Sequence, residues 1–167
     1  MSIFDIAFKE VLGFEDGYVD DINDRGGETK YGISKKSYPN LDIKLITVAD
    51  AKDIYYKDFW NSEFLELSLI DDEKIAIELF DTAVNMGQKT AAKFLQEALN
   101  LMNRNQKDWG DLTVDGDVGA ETLKAYKKAR KPILLKVLNG LQFMKYVKIC
   151  ENDSTQENNF NGWMVRV

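Results

Sequence analysis

The chain has 167 residues, 44% apolar and 30% charged, with two prolines. That is enough apolar material for one good-sized core, or two small ones sharing a surface, and it argues for a soluble, mostly helical protein rather than a disordered one. A net charge of −6 and an isoelectric point near 4.8 remove the basic surface that phosphate binding needs, so nucleic acid is not an expected partner. With no histidine and a single cysteine, Cys150, the sequence excludes Ser-His and Cys-His catalysis, histidine-ligated zinc and any intrachain disulfide.

No apolar run reaches the roughly 18 residues of a membrane span. The opening, Met1-Ser2-Ile3-Phe4-Asp5, lacks the basic-then-apolar pattern of a secretory signal. The expectation is a monomer made in the cytoplasm, without membrane insertion. Ile3, Phe4, Ala7, Phe8, Val11 and Leu12 recur at helical spacing behind a Ser2/Asp5 cap, predicting a helix that ends near Gly13-Phe14 and delivers Glu15. From Glu15 to Thr29 stand six carboxylates and three glycines. Such a stretch cannot be buried as a core strand, and its glycines make it a loop or short hairpin. At the junction of apolar helix and polar loop one carboxyl can be desolvated while another stays wet, which separates a proton donor from an ionised partner.

Tyr38-Pro39-Asn40 marks a turn, and Thr47 caps a helix predicted over Val48 to Trp60, with Ala51, Ile54, Tyr55, Phe59 and Trp60 as its stripe. Asp71-Asp72-Glu73 favours the start of a helix from Lys74 to Met86. That helix is apolar on most of its surface and should be central to the core. Asp81 and Asn85, one turn apart on it, read either as a wet edge or satisfied core pair, or as a cleft wall facing Glu15. Gly87 ends the helix and a soft boundary falls near Gln88, dividing the chain into 1–88 and 89–167. Thr90 is placed as the cap of the next helix, with Ala91, Phe94, Leu95, Ala98, Leu99 and Met102 inward.

Asn103 to Thr113 is a polar connector. Asp115-Gly116-Asp117 lacks the full twelve-residue calcium loop and reads as a tight turn before a helix starting near Glu121. A long helix follows from Pro132 to about Cys150, with Ile133, Leu134, Val137, Leu138, Leu141, Met144, Tyr146 and Val147 as its apolar positions. Cys150 reads as a buried structural thiol. Glu151 to Asn159 is polar and expected to be a loop, and Trp163 to pack the C-terminus against the core.

An acid at a helix end, then a loop with a carboxylate and a hydroxyl, resembles the catalytic segment of phage-type lysozymes. The wording is narrower. Glu15-Asp16-Gly17-Tyr18-Val19-Asp20-Asp21, then Asp24-Arg25-Gly26-Gly27-Glu28-Thr29-Lys30-Tyr31-Gly32-Ile33-Ser34, resembles the glycoside hydrolase family 108 muramidase motif, with departures at Asp16, Ile22 and Arg25. The resemblance continues in Phe80-Asp81-Thr82-Ala83-Val84-Asn85-Met86-Gly87 and in the ending Phe160-Asn161-Gly162-Trp163-Met164-Val165-Arg166-Val167. Leu95-Gln96 with Asp115-Gly116-Asp117-Val118-Gly119-Ala120-Glu121-Thr122 resembles small peptidoglycan-binding modules.

The resemblance implies an all-α, lysozyme-like fold with a short hairpin after Glu15, a catalytic region over 1–88 and a helical, peptidoglycan-binding-like region over 89–167. It implies a muramidase acting on peptidoglycan glycan strands without metal or cofactor. Glu15 is the expected general acid and Asp24 the leading second carboxylate, with Asp20, Asp21 and Glu28 as rivals. Thr29 is expected to hold the attacking water, and Tyr18, Tyr31, Asp81 and Asn85 to contact sugar. The implied setting is a phage or prophage endolysin, released to the wall through a holin or another export route. A lytic transglycosylase and a non-catalytic wall-binding or secretion-associated protein are the other readings.

Overall fold

Helix α1 (Ile3–Leu12) forms where its cap dictates. The Ser2 hydroxyl accepts from the Asp5 N–H at 3.1 Å, and the Asp5 carboxylate accepts from the Ser2 N–H at 2.8 Å. Phe4, Ala7 and Phe8 are its buried face, and Gly13, at φ 59°, ends it at little conformational cost. This computed structural model describes residues 1–13 and 27–167, and the backbone alone of 18–19.

Three two-residue strands make an antiparallel sheet in the order β1 (Tyr18–Val19), β2 (Thr29–Lys30), β3 (Ile33–Ser34), with Val19 opposite Thr29 and Thr29 opposite Ser34. The β2–β3 turn places Tyr31 at φ 51° and Gly32 at φ 73°. Positive φ at both central residues is what a two-residue hairpin with native twist needs. The turn is held from behind: the Tyr55 hydroxyl donates to the Tyr31 carbonyl at 3.2 Å. Lys30 anchors the sheet by donating to the carbonyls of Lys44 and Ile46 at 2.9 and 2.8 Å.

Helix α2 (Val48–Tyr55) starts in a second capping box, Thr47 with Asp50. The expected continuous helix to Trp60 instead widens into one π-helical turn, Tyr56–Trp60, where the Asn61 N–H reaches back five residues to the Tyr56 carbonyl at 2.8 Å. The wider turn seats Trp60 against Phe4 and Phe80, ring centroids 5.3 and 5.5 Å away. Packing of this aromatic cluster overrides the ideal helical register.

Helix α3 (Glu73–Met86), capped by Asp72, is the centre of the molecule and packs on α1, α4 and α6. Helix α4 (Gln88–Met102) follows without a linker. Its first carbonyl is that of Gly87, which accepts from the Thr90 and Ala91 N–H groups, so Gly87 and not Thr90 occupies the cap. The Gln96 amide closes the 115–117 turn, accepting from the Gly116 N–H at 2.9 Å and donating to Asp115 at 2.7 Å. The tight-turn reading of that segment therefore holds.

Helices α5 (Ala120–Lys128) and α6 (Lys131–Asn152) complete the helical half. The buried positions of α6 are Leu134, Leu138, Gln142 and Tyr146, an i,i+4 stripe; Ile133 and Met144 point outward. Beyond it the expected loop is largely helical: a 3-10 turn, Ser154–Gln156, leads into α7 (Glu157–Trp163). Polar sequence alone gives a seven-residue helix little stability, so its order comes from contacts. Trp163 stacks on Tyr146 at 4.8 Å, and Phe160 meets Phe143 edge-on at 6.4 Å. Cys150 is half-buried rather than buried, and burial, Glu157 and Asp153 push its thiol up, away from the lowered range a nucleophile needs. A single buried cluster runs from Phe4 to Leu138, across both sides of Gln88. Among the described residues no helix is long and apolar enough to cross a membrane.

Candidate active site

Helix α3 must bury nearly its whole circumference because it has neighbours on several sides. Glu78 and Asp81 are consequently taken out of water, at 7% and 9% exposure. Both face a cleft of about 490 Å³, whose other walls are the last turn of α1, from Glu10 to Gly13, and the C-terminal residues Gly162, Val165 and Arg166. The cleft thus opens where α1 hands the chain to the carboxylate-rich segment.

The two carboxylates are treated differently. Asp81 is saturated: Arg166 pairs with Oδ1 at 2.5 Å, Asn85 donates to Oδ1 at 3.1 Å, and Gln142 donates to Oδ2 at 2.9 Å. These bonds tie α3 to α6 and to the C-terminal tail. Among the described residues Glu78 has no cation in its salt-bridge reach. The Thr82 hydroxyl reaches its Oε1 only at 3.5 Å, and Asn139, with its amide nitrogen turned inward, donates to Oε2 at 3.3 Å. Burial first, and the Asp81 charge second, push the Glu78 carboxyl up to about 7, with Thr82 opposing weakly. Behind them the Tyr146 hydroxyl is pushed up to about 12 by burial and Asp81. A proton-bearing carboxyl beside a paired carboxylate is an arrangement able to donate a proton or hydrogen bond on one side and hold negative charge on the other.

The expected site residues distribute unevenly. Asp81 lines the cleft, while Asn85, one turn away, does not line it and donates to the Asp81 carboxylate and carbonyl, the latter at 2.9 Å; the Glu15 side that the cleft-wall reading also invokes lies outside the described residues. Thr29 and Tyr31 sit in the sheet and its turn and are not among the cleft-lining residues. The Thr29 hydroxyl donates to the Gly27 carbonyl at 3.2 Å, and the Lys30 ammonium lies 5.4 Å from the Tyr31 ring. Glu15, Asp24, Asp20 and Asp21 lie outside the described residues, as does the side chain of Tyr18.

Sequence reasoning missed Glu78, Gln142 and Arg166. For Glu78 the only local mark is its standing as the one charged residue in the run Ile75 to Phe80, which does not by itself separate it from an exposed helical position. A larger hollow of about 570 Å³ lies in the C-terminal half between the 109–121 segment and α5. Its Asp111 and Asp115 are engaged by Asn103 and Gln96.

A helical fold with a small antiparallel sheet after its first helix, and a carboxylate-walled cleft at that helix's end, defines the lysozyme-like class. Residues 8–87 match the family described as Glycosyl hydrolase 108, and residues 90–167 match a Predicted Peptidoglycan domain. The N-terminal half thus matches glycoside hydrolase family 108 and the C-terminal half a peptidoglycan domain, and the protein is a glycoside hydrolase with a peptidoglycan-degrading, lysozyme-like function. Eleven chains of solved structures match it. One, from the structure of Brucella abortus SagA, shares 25% identity over 98% of this chain and 88% of its own, with a TM-score of 0.72. No curated protein matches the sequence.

Proposed function

We propose that the protein is an N-acetylmuramidase that hydrolyses the β-1,4 bond between N-acetylmuramic acid and N-acetylglucosamine, in the degradation of a host cell wall. The observation carrying this reading is the cleft at the end of α1, two residues ahead of Glu15 in sequence and walled by two buried carboxylates of α3. Hydrolysis of a glycosidic bond needs an acid for the leaving oxygen and a carboxylate for the oxocarbenium-like centre or its attacking water. In this proposal Glu15 is the acid, Asp24 the second carboxylate and Thr29 the hydroxyl that orients water. Tyr18, Tyr31, Asp81 and Asn85 position the sugars, directly or through their neighbours. The region beyond the boundary near Gln88 grips the wall and also closes one side of the catalytic cleft.

The deciding measurement is reducing-end release from purified peptidoglycan by wild type and Glu15→Gln, with mass spectrometry of the products. Reducing muramic acid ends from wild type, reduced by several orders of magnitude in a folded Glu15→Gln protein, are the expected result. Products ending in 1,6-anhydromuramic acid reassign the enzyme as a lytic transglycosylase. An unchanged rate in Glu15→Gln removes Glu15 from the acid role.

A further inference from the structure

The cleft has one charged group whose role neither catalysis by Glu15 nor packing accounts for. Glu78 lines it, is almost entirely buried, and sits three residues from a second carboxylate on the same helical face. Among the described lining residues Arg166 is the only cation, and its guanidinium is committed to Asp81. Among the described residues the other titratable groups around Glu78 offer no positive charge: Glu10 from α1, Asp81 from α3, and Tyr146 from α6. Two anions packed this closely with one counter-ion between them are unfavourable, and the one without the cation keeps its proton. A neutral carboxyl differs from a carboxylate in one respect that matters to a sugar: it can donate a hydrogen bond.

We propose that Glu78 is a substrate-contacting residue of the cleft, donating its carboxyl proton in a hydrogen bond to an acceptor oxygen of the glycan, with Asp81 fixed beside it by Arg166 and Gln142. The glycan acceptors of suitable chemistry are N-acetyl carbonyls, ring oxygens and hydroxyls. Glu78 transfers no proton; it contributes to binding and leaves the bond-breaking acid to act elsewhere. Its ionisation, as pH rises through neutrality, replaces a donor by an anion facing the sugar's oxygens. Substrate affinity then falls while the turnover of bound substrate follows a different titration. This inference rests on the reading of the cleft as a glycan site.

The test compares full-length wild type, Glu78→Gln and Glu78→Ala on soluble peptidoglycan fragments between pH 5 and 9, with kcat and KM resolved. The wild-type KM should rise about tenfold between pH 5.5 and 8.5, the size of one lost hydrogen bond. Glu78→Gln, which keeps a donor and cannot ionise, should hold a low KM throughout. Glu78→Ala should show a KM raised about tenfold at all pH values. A wild-type KM flat with pH, or a Glu78→Gln KM that climbs as the wild type's does, overturns the inference whether or not Glu78→Ala folds. Wild type that releases no reducing or anhydro ends at any pH overturns the glycan reading itself, and the inference with it.

Discussion

Replacing a buried carboxyl by its amide isolates one titration, and at Glu78 the sign can be worked out in advance. Folding lifts this group from 4.5 to about 7. Between those values the folded chain holds the proton and the unfolded chain has lost it, so stability falls as pH rises. The stability associated with the neutral form is complete below about pH 4.5 and gone above about pH 7; a shift of this size corresponds to about 3 kcal/mol. Glu78→Gln, having nothing to titrate, should gain on wild type by about that much between pH 4.5 and pH 8 in paired urea unfolding experiments. A difference between the two proteins that stays constant over this range sinks the assignment. The same residue marks the limit of sequence reading at the site. Asp81 and Asn85 stand out as polar residues one turn apart, but a lone glutamate within Ile75 to Phe80 looks like any exposed helical position until neighbours close over both sides of α3. Arg166 lies 85 positions from its partner, a pairing that no local pattern encodes.

Among the elements, the β2–β3 turn concentrates its constraint on one glycine. At Gly32 a Cβ would overlap the Tyr55 hydroxyl, and φ is 73°, so both the side chain and the backbone oppose substitution. Tyr55 cannot yield freely because its ring packs on Phe8 and Phe80 at 5.6 and 6.2 Å. Gly32→Ala should therefore cost about 2–3 kcal/mol, read as a lowered Tm, and should weaken activity by displacing the strand that carries Thr29. Gly110→Ala, where a Cβ meets open space, is the control and should change stability by less than about 0.5 kcal/mol. Equal Tm values for the two variants contradict the close-packed turn. Elements with strong local signals, α1 and α2 with their capping boxes and α3 with its apolar run, were legible from sequence because the caps and periodicity are local. The π-helical turn and α7 were not, since each depends on an aromatic partner far along the chain: Trp60 on Phe4, and Trp163 on Tyr146.

At the scale of the molecule, the two family matches meet between residues 87 and 90, yet the packing does not divide there. Helix α3 of the first region packs on both α4 and α6 of the second, and the hydrophobic cluster is continuous across the junction. The cleft itself is shared, because Asp81 takes hydrogen bonds from Gln142 and Arg166. A chain of residues 1–88 would strip α3 of α4 and α6, expose the side that packs on them, and leave the Asp81 carboxylate without its counter-ion. Returning that apolar face to water forfeits several kcal/mol, a large share of the total stability of a domain. We therefore expect the 1–88 fragment to lack a cooperative thermal transition and to release no reducing ends from peptidoglycan. In the full chain, Arg166→Ala alone should cost about 2–3 kcal/mol in urea unfolding and reduce activity, while leaving the far-ultraviolet helical signal intact. A fragment that unfolds cooperatively and cleaves glycan at the full-length rate establishes two separable modules, and leaves the Arg166 pair a surface contact without bearing on the cleft.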